Sequence, residues 1–189
     1  MNKIKNHSKE LIVLTILLAV AVSVVNAAVF VYYPMEISAT WVRYPIKFEA
    51  GSNAGKADID GTITVSLDDG GTTATITVHP SRRGTTRYKD ILRIVNNGTQ
   101  AYYVGFANIT DTFDAPISTA KLLLYNATNN NYIGEVDLMS TGWQGWKGSL
   151  NTGQSIRVDL LLKISAGSTG SDTAKLSLVY SPQSNESPP

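Results

Sequence analysis

Residues 63–78 read ITVSLDDGGTTATITV and decide the fold class. Apolar and hydroxyl-bearing side chains alternate on both sides of the turn-forming group DDGG at 68–71, which is typical of a β-hairpin with one buried face. The chain after residue 50 repeats this design, with short β-like runs between clusters of Gly, Asn, Asp and Ser. The sequence therefore predicts one all-β domain over residues 51–181, a jelly-roll-like antiparallel β-sandwich of about nine strands.

The other strands of this domain follow from the same alternation. Residues 88–95 are largely apolar on both faces and are predicted to form a central strand. After the turn NNGT at 96–99, residues 101–109 are predicted to pair with that strand as a hairpin. A further hairpin is predicted around the loop at 126–131, and the last two strands at 156–164 and 174–180. The polar tail at 182–189 is predicted to be disordered.

Residues 1–27 have the features of a secretory signal peptide. Lys3, Lys5 and Lys9 precede an uncharged apolar run at 11–25, and the residues VNA at 25–27 end with a small side chain at the expected cleavage site. The run has roughly 15 residues, fewer than the roughly 20 that span a bilayer. Cleavage after Ala27 is therefore favoured over an uncleaved membrane anchor, and we expect an extracellular protein without a membrane anchor after cleavage.

Composition narrows the range of partners. Removing residues 1–27 takes away three lysines and one glutamate, which changes the formal charge from +1 to −1. A charge so close to zero predicts no nucleic-acid partner. The chain has no cysteine, so its stability must come from packing, hydrogen bonding or assembly rather than from disulfides, and thiolate metal sites are excluded. We expect no cofactor.

Candidates for catalysis are few. His79 is the one histidine after residue 27, and without a second histidine or a cysteine it cannot build a typical zinc site. No Gly-x-Ser-x-Gly motif is present. The pairs Asp58/Asp60 and Asp68/Asp69 could bind calcium, but Asx-turn formation explains them as well. We therefore expect no enzymatic activity, with no catalytic and no metal-binding residues.

Five residues mark other possible sites. Trp143 and Trp146 lie among glycines and could form an aromatic platform for a carbohydrate, although core or subunit packing explains them as well. Asn97, Asn108 and Asn126 each begin an Asn-x-Thr sequon, which makes them plausible glycosylation sites in an exported protein.

The segment 28–50 leads into the domain and carries a long apolar face. Apolar side chains alternate at Met35, Ile37, Ala39 and Trp41, and the phase of the alternation changes around Pro45. A free apolar strand is an aggregation hazard, so such a segment must be buried in its own core or in a neighbouring subunit. These two fates distinguish a self-contained domain from a filament subunit.

Two sequence stretches carry a resemblance to a known family. They read YKDILRIVNNGT at 88–99 and IKFEAGSNAG at 46–55, and with them the chain resembles the archaeal bundling-pilus subunits from the signal peptide to about Pro182. Those subunits are similar to the bacterial biofilm-matrix fibre protein TasA, in the TasA/camelysin-like family. The resemblance implies a jelly-roll sandwich whose N-terminal strand leaves its own domain and completes a sheet of the next subunit.

On that scheme the donated strand is 28 to about 40, and the remainder up to residue 50 is the connector. The inserted side chains at the subunit interface would include Val29, Val31, Ile37, Ala39 and Trp41. The partner is then the protein itself, in a head-to-tail homopolymer whose filaments bundle laterally at the cell surface. A secreted monomeric carbohydrate-binding module, with its site at Trp143 and Trp146, is the alternative. A secreted hydrolase, which the camelysin branch suggests, is the least favoured reading.

Overall fold

The computed structural model describes residues 3–25, 33–40, 43–165, 169–185 and 187–188. Contacts divide the chain into two units, Met1–Trp41 and Val42–Pro189. In the first unit, helix α1 spans Lys3–Val25 and residues 33–40 form neither helix nor strand. Within the described ranges, no helix is both long enough and apolar enough to cross a membrane.

The second unit is built from strands, ten of them among the described residues, against about nine predicted. Their bounds are β1 Ile46–Ala50, β2 Thr64–Leu67, β3 Ala74–Thr77, β4 Gly84–Asn96, β5 Tyr102–Asp111, β6 Ile117–Asn126, β7 Tyr132–Asp137, β8 Trp146–Leu150, β9 Ser155–Ile164 and β10 Lys175–Ser181.

These strands form two packed layers. One layer is a five-stranded sheet in the order β1-β4-β9-β6-β7, and the other consists of a three-stranded sheet, β10-β5-β8, and the separate hairpin β2-β3. Every pairing is antiparallel. The chain leaves the large sheet after β4, crosses to β5 and returns at β6, as in jelly-roll folds. The prediction of an all-β antiparallel sandwich is confirmed.

The core lies between the layers and follows the alternation of the strands. On β9, Ile156, Val158, Leu160 and Leu162 are all buried, while the residues between them belong to the other face of the sheet. Buried residues of β5 belong to the same apolar cluster. Each such aliphatic side chain contributes about 1.5–3 kcal/mol when fully buried.

Three local predictions are confirmed and one is wrong. The structure confirms both hairpins, at 63–78 and around 126–131. It also confirms the central position of the strand at 88–95, since β4 lies between β1 and β9. The predicted pairing of 101–109 with its predecessor is wrong, because β5 pairs with β8 and β10. The buried Asn96 donates to the carbonyls of Gln100 and Leu150, and this holds the turn so that the chain crosses to the other layer.

The sandwich also begins earlier than predicted. β1 pairs with β4 from Ile46 opposite Asn96 to Ala50 opposite Leu92, so these residues belong to the large sheet and not to a connector. Gly51, directly after β1, is tightly packed, since an added Cβ would lie 2.0 Å from the Asp90 carbonyl oxygen. A glycine is needed here because two backbone segments approach closely.

A buried ionic cluster fixes the middle of the large sheet. The Asp159 carboxylate, fully buried, accepts hydrogen bonds from Arg87 Nη2 at 2.7 Å, Arg157 Nε at 3.0 Å and the backbone N–H of Asp90 at 2.9 Å. Asp90 lies in a bulge of β4 with φ +44° and pairs with Arg93 at 2.7 Å. Hydrogen bonding from Arg93 lowers the pKa of Asp90 to about 2. The cluster therefore holds the bulged backbone of β4 against β9.

Candidate functional site

The layer opposite the large sheet is interrupted by a groove. It has a cavity volume of about 1500 Å³ and is lined on one side by β10 and on the other by β3. Its floor is the apolar inner face of the large sheet, with side chains from Leu92, Leu122, Val158, Leu160 and Leu162. β10 and β3, the rims of the groove, add Ala74, Ile76, Leu176 and Leu178. The floor of the groove and the inward side chains of its rims are therefore apolar, while the wider lining includes polar residues such as Thr72, Asp114 and Asp172.

The groove is open because the second layer lacks a strand between its two parts. β10 ends the three-stranded sheet, and β3 is paired only with β2 in its hairpin, so in the described part of the chain no strand lies between them. The hairpin is held from its other side, where β2 lies against β1 and the N–H of Phe48 donates to the carbonyl of Gly71 at 2.6 Å. The two rims are thus fixed independently of each other.

The backbone of β10 points its unused polar groups into this gap. The carbonyl of Phe106 on β5 accepts a bond from Gln144 N–H at 2.9 Å, on the side of β5 away from β10. Leu178 lies directly opposite Phe106. In an antiparallel ladder such a pair is not hydrogen-bonded, so the N–H and C=O of Leu178 point to the free edge. The side chain of Leu178 also lines the groove. On β10, therefore, the residues whose side chains face inward are also those with free backbone groups.

β3 presents its backbone in the same way. The carbonyl of Thr73, just before the strand, accepts a bond from Asp68 N–H on the β2 side. Since backbone direction alternates along a strand, Ala74 and Ile76 direct their N–H and C=O toward the gap. Both also line the groove. The two rims therefore combine free backbone donors and acceptors with apolar side chains, which makes each an open template for a further strand.

One end of β3 is anchored by a buried carboxylate. Asp58 accepts bonds from the N–H of His79 at 2.5 Å, the N–H of Ile59 at 2.6 Å and the hydroxyl of Tyr88 at 3.1 Å. Burial raises the pKa of Asp58, but these hydrogen bonds outweigh it and hold the pKa below its usual range. The His79 ring lies 3.3 Å from the same carboxylate. Asp58 and His79 are thus used to position the rim.

Asp68, from the second pair that could bind calcium, stabilises a turn. The Asp68 carboxylate accepts bonds from the N–H of Thr72 at 2.6 Å, its hydroxyl at 2.5 Å and the N–H of Thr73 at 2.9 Å. This is the Asx-turn chemistry that the sequence offered as the other reading. Among the residues that the structure describes, no group of three or more His, Cys, Asp or Glu side chains is placed to hold a metal ion.

The predicted donor residues fall partly within the described chain. In the segment 33–40, Tyr33 is 87% exposed, and Met35 and Ile37 are each 79% exposed. Ala39 is exposed as well. The apolar face is therefore presented to solvent. The other predicted donor residues, Val29, Val31 and Trp41, lie outside the described residues.

The two tryptophans pack within the sandwich. Their rings meet edge to face with centroids 5.0 Å apart, and both are only partly exposed. Trp143 lies so close to Gly105 of β5 that an added Cβ there would be 2.4 Å from Cη2 of the ring. Trp146 begins β8, a strand missed from the sequence because glycines weaken the β pattern around it. This packing favours a structural role over a carbohydrate platform.

The three sequons differ in their surroundings. Asn97 is exposed in the turn after β4. Asn126 is half-buried at the end of β6, where its side-chain oxygen accepts bonds from the N–H groups of Thr128 and Asn129. Asn108 lies in β5, but its side chain is outside the described residues. Of the two sequons with described side chains, Asn97 is therefore the one more exposed to solvent.

A comparison with models of known protein families finds no match, and a comparison with curated proteins finds no relative. The geometry of the groove and of the segment 33–40 therefore supplies the evidence on function.

Proposed function

We propose that the protein is an exported filament subunit that polymerises by donor-strand complementation. The N-terminal segment 28–40 of one copy would lie in the groove of the next. The observation that carries this proposal is the groove itself, an apolar slot whose two rims offer free backbone hydrogen-bonding groups. The same chain holds an exposed segment with alternating apolar side chains, which is the chemical complement of such a slot.

Complementarity of length and chemistry supports the pairing. The eight residues at 33–40 would extend for about 26 Å as a strand, and the seven-residue β10 offers a rim of similar length. Burial of Met35 and Ile37 would contribute about 1.5–3 kcal/mol each. Each new backbone hydrogen bond would add about 0.5–1.5 kcal/mol. A joint of this kind dissociates slowly.

The contact would also propagate. It joins a segment of one copy to a different surface of the next copy, so it is a head-to-tail contact that leaves one free segment and one free groove at the ends of any chain of subunits. Such contacts build open filaments when the rotation does not close a ring. The formal charge of −1 expected after cleavage would produce little repulsion between filaments, which is compatible with lateral bundling. The expected partner is therefore the protein itself.

The test compares a chain that begins at Ala28 with one that begins at Arg43. The second retains every strand of the sandwich, because β1 begins at Ile46. We expect the longer chain to form filaments in electron micrographs and the shorter chain to elute as a monomer. A peptide of residues 28–42 should bind the shorter chain and raise its melting temperature, because the ligand stabilises only the folded state.

A peptide of the same composition in scrambled order is the control and should have no such effect. Polymerisation of the chain from Arg43 as readily as the chain from Ala28 would refute the proposal. So would a chain from Ala28 that stays monomeric at high concentration.

A further inference from the structure

The two rims of the groove run in opposite directions. Gly70, just before β3, packs on the ring of Tyr44, and Gly98 packs on both Tyr102 and the proline that follows Tyr44. The ring of Tyr102 meets the ring of Tyr180, at the end of β10, with centroids 5.5 Å apart. The start of β3 and the end of β10 therefore lie at the same end of the groove, and the two strands are antiparallel to each other across the gap.

The groove has room for one strand. With a rise of about 3.3 Å per residue, a strand spacing of about 4.8 Å and a layer thickness of about 10 Å, each residue of a sheet occupies about 160 Å³. Eight residues then occupy about 1300 Å³, so the cavity of about 1500 Å³ is large enough for one such strand.

A single strand between two antiparallel rims must be antiparallel to one and parallel to the other. Facing residues of an antiparallel pair share a face of the sheet. On both rims the free backbone groups belong to inward-facing residues. We call the inserted strand the guest strand. Its residues that bond to the antiparallel rim must therefore also face inward. Its outward-facing residues then bond to the parallel rim. This result holds whichever way the guest strand runs.

The segment 33–40 has one apolar and one polar set of alternate residues. The odd set is Tyr33, Met35, Ile37 and Ala39, and the even set is Pro34, Glu36, Ser38 and Thr40. The odd set fits the apolar floor. Pro34, which has no N–H to donate, then falls on the parallel rim, where the ladder is slightly weaker in any case.

We infer that the groove accepts a single strand, residues 33–40 of a second copy, to complete a mixed six-stranded sheet in the order β8-β5-β10-guest-β3-β2. Met35, Ile37 and Ala39 face the floor and bond to the antiparallel rim, and Glu36 and Ser38 face outward and bond to the parallel rim. This inference rests on the proposed function and adds to it the orientation of the joint.

Paired cysteine substitutions test this arrangement in the chain that begins at Ala28, because the natural chain has no cysteine. One cysteine replaces an even residue of the guest segment, and the other replaces an outward residue of a rim. Cα atoms of neighbouring strands are close enough for a disulfide. The guest positions are Glu36, Ser38 and Thr40, and the rim positions are Lys175 and Ser177 on β10 and Thr75 and Thr77 on β3.

The arrangement predicts opposite shifts at the two rims. When the rim cysteine moves from 175 to 177, the guest position that cross-links best should move by two residues in one direction. When it moves from 75 to 77, the best position should move by two residues in the other direction. Electrophoresis without reductant should show a ladder of linked subunits, and single-cysteine variants should show none.

Thiol labelling of assembled filaments gives a second readout. The single-cysteine variant Ile37→Cys should react about tenfold more slowly in filaments than in the monomer, because its side chain would be buried between the guest strand and the floor of the groove. The matched variant Ser38→Cys should react at a similar rate in both states. Equal protection of the two positions would overturn the inference.

The remaining outcomes separate this inference from the proposed function. Shifts in the same direction at both rims would mean that two strands fill the gap, which overturns the inference. Cross-links within one chain would mean that the segment fills its own groove, which also overturns it. Filaments without cross-links at either rim would overturn the orientation but leave assembly intact. Absence of both filaments and cross-links would count against the proposed function itself.

Discussion

Replacing Ile37 by aspartate should abolish filament formation without weakening the subunit. Ile37 is 79% exposed in the chain, so a carboxylate there is fully hydrated before assembly. In the proposed joint the same carboxylate would be pressed against the apolar floor of the groove, where an unpaired buried charge costs about 3–5 kcal/mol. That energy corresponds to a loss of roughly 10² to 4 × 10³ in affinity. Sedimentation of polymer from the soluble fraction measures the effect.

Ser38→Asp is the matched control for this variant. It introduces the same charge one residue away, on the face expected to point to solvent, and should still polymerise. Both variants should unfold at the same temperature as the parent subunit, because neither position lies in the sandwich. Polymerisation of Ile37→Asp at the parent level would exclude Ile37 from the joint.

Replacing Asp159 by asparagine should destabilise the sandwich by about 3 kcal/mol, near the lower end of the range for breaking a buried ion pair. The Asp159 carboxylate is fully buried and serves two guanidinium groups and one backbone N–H. An amide of the same shape supplies no charge and turns two N–H donors toward groups that are themselves donors. Urea denaturation of the chain from Arg43 measures this loss without any contribution from assembly.

Asp111→Asn is the control for the ionic cluster. Asp111 pairs with Lys175 at 3.6 Å, but the two side chains are 52% and 70% exposed. Such surface pairs contribute about 0–1 kcal/mol, so this variant should unfold close to the parent midpoint. An Asp159→Asn protein as stable as the Asp111→Asn protein would show that the cluster does not hold β4 to β9.

Local pattern was enough to predict the hairpins. At 63–78 the alternation and the turn chemistry agree, and the structure places β2 and β3 there. Pairing between distant strands was not predictable in this way. The apolar face of β5 can be covered by any neighbouring strand, and the choice depends on the buried Asn96, whose side chain bonds to Leu150, far along the sequence. Alternation alone carries no information of this kind.

The position of the groove and the ionic cluster were not predictable from local pattern, for the same reason. Whether a strand is paired on one edge or on both depends on the order of all strands in the sheet, and the patterns at 74–78 and 174–180 look like those of ordinary paired strands. Asp159 reads in the sequence as a solvent-facing residue of β9. It is buried because Arg87, 72 positions away, folds over it. The segment 33–40, in contrast, shows its apolar face in the sequence without help from the fold.

The most direct test of donor-strand assembly is an electron cryomicroscopy structure of filaments formed by the chain that begins at Ala28. The proposal predicts one continuous strand of density between β10 and β3 of each subunit, with the side chains of Met35 and Ile37 over the floor and a connection to the neighbouring subunit. An empty groove, or a groove filled by the subunit's own segment, would contradict it.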